Sequence, residues 1–186
     1  MNYLLLCLAL FLGDPPAPTY TWDLRGSRSF SSLSGVSGAV VGRHIELDGL
    51  ATTKVTFSEG RTFSEDVTHI SLRVENATVE SVAFHLPAMS AEATYHKSLA
   101  LAGAWGLSEA PLHTWFERQQ VGRRELADTM LNNTTMPVHL GIYKAYDRER
   151  RYRIVLTVAW MTEVELAELR AATQPATAPA HPHEGN

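Results

Sequence analysis

Apolar and polar residues alternate with a period of two through much of this chain, the pattern of β-strands that keep one face dry and the other wet. Tyr20, Trp22 and Leu24 form the first such run, and Gly26 to Gly38 follows as a Ser/Gly-rich loop. Val41 to Asp48 puts Ile45 and Leu47 on one face; Thr53 to Ser58 does the same with Val55 and Phe57, and His69 to Glu75 with Ile70, Leu72 and Val74. Asn76 and Ala77 mark a turn. Beyond it come Val79 and then Val82, Phe84 and Leu86, and the change of phase between 79 and 82 predicts a bulge before Pro87 ends the strand. The best-marked hairpin sets Val138, Leu140 and Ile142 against Ile154, Leu156, Val158 and Trp160, with its tip at 147–150.

Between these two groups of strands the period lengthens to that of a helix. Ser90 can cap a helix whose inward face holds Ala91, Tyr95, Leu99, Ala102 and Trp105, with Gly106 as its C′ residue. A second helix is predicted from Ser108 to Gly122, with Pro111 tolerated in its first turn and Leu112, Trp115 and Phe116 on its apolar face. A third short helical segment is predicted over Arg124 to Leu131, and a last helix from Thr162, whose spacing to Glu165 fits a capping box, to Ala172. Strands, then helices, then a strand pair and a helix predict an α+β fold. Its expected form is an antiparallel sheet of about five to seven strands with a helical hairpin packed on one face.

With 45% apolar and 19% charged residues the chain is able to bury a core. One α+β domain is expected over residues 19–172, between a signal-peptide-like segment and spacer at 1–18 and a Pro/Ala-rich tail at 173–186 that has too little to bury and is expected to be disordered. Leu4 to Leu12 is an unbroken apolar run followed by Gly13, Asp14, Pro15 and Pro16, too short for a membrane-spanning helix and suited to a signal-peptide core. The expectation is therefore an exported chain, periplasmic, envelope-associated or secreted, with no transmembrane span in its mature form. Cys7 is the only cysteine and lies in that run, which leaves the mature chain neither a disulfide nor a thiol nucleophile. The formal net charge is -4 and both signs are interspersed, so no extended positive field exists and nucleic acid is excluded as a partner.

Candidate chemistry is confined to the wet side of the strands. Alternation places His44, His69, His85 and His139 on the polar face, with Arg73 and Tyr143 on the same side, and Glu46 or Glu75 available to complete a ligand set. Their spacings match no metal motif, so neither a metal nor a cofactor is assigned. His113 and Glu117 form an i, i+4 pair without the second histidine of a helical zinc site. Ser37 in Gly35-Val36-Ser37-Gly38 lacks one residue of the nucleophile-elbow spacing, and Gly35, Gly38 and Gly42 do not match a dinucleotide fingerprint. Sequons at Asn76, Asn132 and Asn133 bear only on a eukaryotic secretory route. Trp105, Trp115 and Trp160 lie on inward faces, whereas Trp22 is either core or an exposed anchor for a partner.

The leading expectation is an exported, non-catalytic binding or envelope-associated module with a protein partner, its candidate contacts being His44, His69, His85, His139, Tyr143 and Trp22. A carrier of a small apolar ligand, held between sheet and helices, is the alternative. A metal-dependent enzyme built on the histidine-bearing face is the third, and it requires at least three of the four histidines to converge.

Overall fold

The computed structural model describes residues 19–25, 28–29, 44–57, 60–120, 127–131, 136–145, 149–161, 164–165 and 167–168. Expectations for the signal-like segment, most of the Ser/Gly loop, Gly122, the first half of the hairpin tip at 147–150, the Thr162 cap and the tail lie outside the described residues. The elements run β1 (Thr19–Asp23), β2 (His44–Thr56), β3 (Thr62–Glu75), β4 (Thr78–His85), α1 (Ala91–Trp105), α2 (Ala110–Gln120), β5 (Ala127–Leu131), β6 (Val138–Lys144) and β7 (Tyr152–Ala159). They form the expected α+β fold, one seven-stranded sheet in the order β1-β2-β3-β4-β7-β6-β5.

All neighbours are antiparallel except β1, which runs parallel to β2. A parallel pair needs a crossover of about a dozen residues or more, and the stretch between Asp23 and His44 exceeds that length. The two separate runs expected at 41–48 and 53–58 are one strand, β2, interrupted by a register shift between Asp48 and Ala51 where Gly49 takes φ +112°. On β3 the buried positions run Phe63 and Val67, then Ile70, Leu72 and Val74, so the alternation slips by one residue opposite that bulge. This slip hid the first half of β3 from a search for strict period two. Between β3 and β4, Arg73 faces Ser81 but Val74 faces Val79, which leaves Glu80 as the extra residue of the bulge expected there.

Both helix caps form as expected. Ser90 Oγ accepts from the Ala93 N–H, and Gly106 at φ 68° ends α1 in the left-handed region that a side chain disfavours. The buried stripe of α1 is Thr94, Ser98, Leu101, Ala102 and Trp105; of the expected inward residues Ala102 and Trp105 are fully buried, while Ala91, Tyr95 and Leu99 are half-buried at its flank. Tyr95 turns instead toward α2, its ring stacked on Phe116 at 4.2 Å, because the helix has two neighbours to satisfy, the sheet and its hairpin partner. Residues 127–131, expected as helix, are the edge strand β5 paired along its length with β6. The ladder that β6 supplies satisfies this backbone and overrides local preference.

The core lies between the helices and one sheet face. Phe84 on β4 stacks on Phe63 at 4.3 Å and meets Trp22 and Phe57 at 6.2 and 6.4 Å, while Phe57 meets Trp105 of α1 edge-on at 5.2 Å. Trp115 of α2 packs edge-on against Tyr152 of β7 at 5.2 Å. Trp22 is 1% exposed and belongs wholly to this core, so it is withdrawn as a partner-facing anchor: its alternation with Tyr20 put it on the dry side of β1.

Two stability changes follow. Truncating Phe84 to Ala leaves a void among three aromatic rings and is expected to cost about 3–5 kcal/mol in urea unfolding. The β3–β4 turn holds Asn76 and Ala77 at φ 49° and 60°, the pattern of a two-residue type I′ turn, in which Ala is strained and Gly is not. Ala77→Gly is expected to raise stability by about 1 kcal/mol, seen as a higher urea midpoint with unchanged m-value.

Candidate functional site

The helices α1 and α2 pack on the dry face, so neither covers the opposite face of the sheet, where Glu165 of the helical residues 164–165 and 167–168 borders one end beside Arg73, Ser81 and Ala159. Pairing registers place its side chains in rows. Asp48, His69, His85, Val155 and Gly141 form one row; Glu46, Ser71, Ala83, Thr157 and His139 form the next, and His44, Arg73, Ser81 and Ala159 a third. The centre is built of short side chains, and the long charged ones stand toward the rim.

Of the four sequence-derived histidines, only His69 and His85 meet. They are direct cross-strand partners with rings edge-to-face at 4.8 Å. His139 is two strands and one row from His85, roughly 12 Å by strand spacing and rise. His44 faces Arg73, about 13 Å along the sheet from the His69 row. Among the described residues no three His, Asp or Glu side chains are placed to share a metal ion.

His69 is engaged at both ring nitrogens. Nδ1 lies 2.6 Å from Asp48 Oδ1 and Nε2 lies 2.7 Å from Glu46 Oε2, while Glu46 also accepts a hydrogen bond from Ser71 Oγ at 2.9 Å. An imidazole between two carboxylates ties β2 to β3 and has no free nitrogen for a substrate or metal. His85 differs in every respect. Burial lowers its pKa from 6.5 to about 4, and the positive charges of His69 and Arg153 push the same way, against a smaller opposing effect of Glu46. At neutral pH it is an uncharged imidazole, one nitrogen donating and one accepting.

Beside His85 a cleft of about 510 Å³ opens, lined by His85, Tyr143, Lys144, Ala145, Arg153 and Val155. Tyr143 and Arg153 are cross-strand partners. Tyr143, 40% exposed, folds back along β6 so that its ring covers Gly141, where a Cβ would lie 2.6 Å from the ring. Only glycine at 141 admits this pose. Among the described residues no carboxylate pairs with Lys144 or Arg153. A second cleft, of about 440 Å³, contrasts with it: Arg73 is paired with Glu80 at 2.8 Å, and Arg28 stands 5.6 Å over the Trp160 ring. Its cations are already matched.

Sequence reasoning reached His85 and Tyr143 but passed over Arg153 and Val155, although the inward assignment of Ile154 and Leu156 already sent their odd-numbered neighbours to the wet face. On α2, His113 accepts or donates at Nδ1 to Tyr95 Oη at 2.6 Å and faces Glu109 at 3.8 Å, so the i, i+4 partner is Glu109 rather than Glu117. Comparison with protein-family models, curated proteins and solved structures finds no match to this chain.

The depressed pKa of His85 makes stability pH-dependent. As pH falls below 6.5 the unfolded chain binds a proton that the folded His85 resists until about pH 4, so stability is complete above 6.5 and is lost through that window. The ceiling is about 3 kcal/mol, reduced by partial exposure of the ring. Urea unfolding at steps from pH 7 to 4.5 is expected to show a shallower decline for His85→Gln than for the parent; equal slopes would remove His85 as the cause.

Proposed function

We propose that the chain is a non-catalytic binding module that acts after export and receives an acidic partner on the polar face of its sheet. The observation that carries this reading is the pair of cations, Lys144 and Arg153, without a described carboxylate, in a cleft shared with the uncharged His85. Of the carboxylates on the same face, Glu46 and Asp48 are taken up by His69. Local charge therefore favours an anion here even though the net charge is -4. The Leu4 to Leu12 run is what supports export.

The competing readings have less to stand on. A carrier needs room between sheet and helices, where Leu101, Ala102, Trp105, Leu112 and Trp115 are packed at 0–6% exposure. A metal-dependent enzyme on this face needs at least three converging ligands, and among the described residues only His69 and His85 of the four histidines meet. Among the described residues neither histidine of the contacting pair is hydrogen-bonded to a hydroxyl, since Ser71 bonds Glu46 instead.

Titrating an oligoglutamate peptide into isotope-labelled protein at low ionic strength tests the reading. Saturable chemical-shift changes are expected on β4, β6 and β7, vanishing with added salt and weakened about tenfold in a Lys144→Gln/Arg153→Gln double variant. Changes that are absent, centred on the helix hairpin, or unaltered in the double variant would overturn it.

A further inference from the structure

The cleft beside His85 has a charged end and an apolar floor. Val155 on β7 is cross-strand neighbour to both His85 and Gly141, and the Tyr143 ring lies over Gly141. An imidazole and a phenol ring thus flank Val155 from strands two spacings apart, about 10 Å. Arg153, two residues from Val155 on the same face, stands beside Tyr143, and Ala145 extends the apolar lining.

Resting on the reading of this face as the binding surface, we infer that the cleft takes a carboxylate carried on an apolar body, whether a free aryl or alkyl acid or the last residue of a peptide chain. The planar fork of Arg153 matches a carboxylate through two parallel hydrogen bonds, with Lys144 adding charge. Arg153 Nε is buried without a hydrogen-bond partner, so part of the guanidinium is already desolvated before any ligand arrives. Phosphate would meet the same cations, but it gains nothing from Val155, Ala145 and the Tyr143 ring, whereas an aryl or alkyl group does. A cleft of about 510 Å³ is of the size that small organic ligands occupy.

Calorimetric titration with 3-phenylpropanoate, its amide, acetate and inorganic phosphate separates the contributions. The aryl acid is expected to bind saturably, with amide, acetate and phosphate each at least about tenfold weaker. Gly141→Ala, which displaces Tyr143 from its place over residue 141, is expected to weaken the aryl acid several-fold; unchanged aryl-acid binding in this variant removes the Tyr143 wall from the site. Arg153→Gln is expected to abolish the preference of acid over amide; Lys144→Gln, at an exposed position, supplies the same test if the first variant does not fold. Equal binding of acid and amide removes the carboxylate, and equal binding of acetate or phosphate removes the apolar body. No binding by any probe overturns the inference. Acetylated peptides ending in Phe, as free acid or amide, tell the sources apart: the free-acid peptide alone binding identifies a chain end, and 3-phenylpropanoate alone a free acid. If oligoglutamate still binds when these probes fail, the acidic-partner reading survives; if it too fails, both fall.

Discussion

Phe84 sits at the middle strand of the seven, and its burial sets the geometry of both faces. Three aromatic side chains, Trp22, Phe57 and Phe63, meet around it, and Trp105 of α1 joins them through Phe57. Side chains alternate along a strand, so a Phe84 fixed on the dry side sends His85 to the wet side at the same depth along β4. The registers of β3 and β7 then bring His69 to one flank of that histidine and Val155 to the other. Packing on one side of the sheet thereby places the chemistry on the other.

The two histidines show how strongly neighbours decide what a side chain can do. One bridges two carboxylates and is occupied as a structural tie between strands. The other, a strand away, has lost water, faces positive charge and is neutral. Their separation of roles follows from the sheet itself: Glu46 and Asp48 come from β2, Arg153 from β7, and only the strand between them is shared. The outcome, among the described residues, is Glu46 and Asp48 engaged by His69 on one side of the face and Lys144 and Arg153 without a described carboxylate on the other.

Gly141 matters for the same reason. A strand interior normally penalises glycine, which has no side chain to pack and more conformational freedom to lose. Here the missing Cβ lets a phenol ring lie along the strand, and the ring supplies the packing that glycine cannot. The cleft owes one of its walls to an absent methyl group.

Much of this molecule was legible in the order of its residues. Period-two runs located most strands, the phase change at 79–82 located a bulge, Asn76-Ala77 located a turn, and Ser90 and Gly106 located the ends of α1, because each is a local preference expressed over a few residues. Alternation also determined that His44, His69, His85 and His139 share one face. What it left undetermined was which of them touch, since facing the same way says nothing about pairing register or strand order. Local preference likewise misassigned residues 127–131, whose backbone takes its hydrogen bonds from a strand seven or more residues further on. Contact between His69 and His85, the engagement of one by Glu46 and Asp48, and the cleft formed with Arg153 and Tyr143 join residues far apart in sequence. The sequence determined which side chains face water; only the tertiary structure, through hydrogen-bonded ladders and a bulge at Gly49, decided which of them meet.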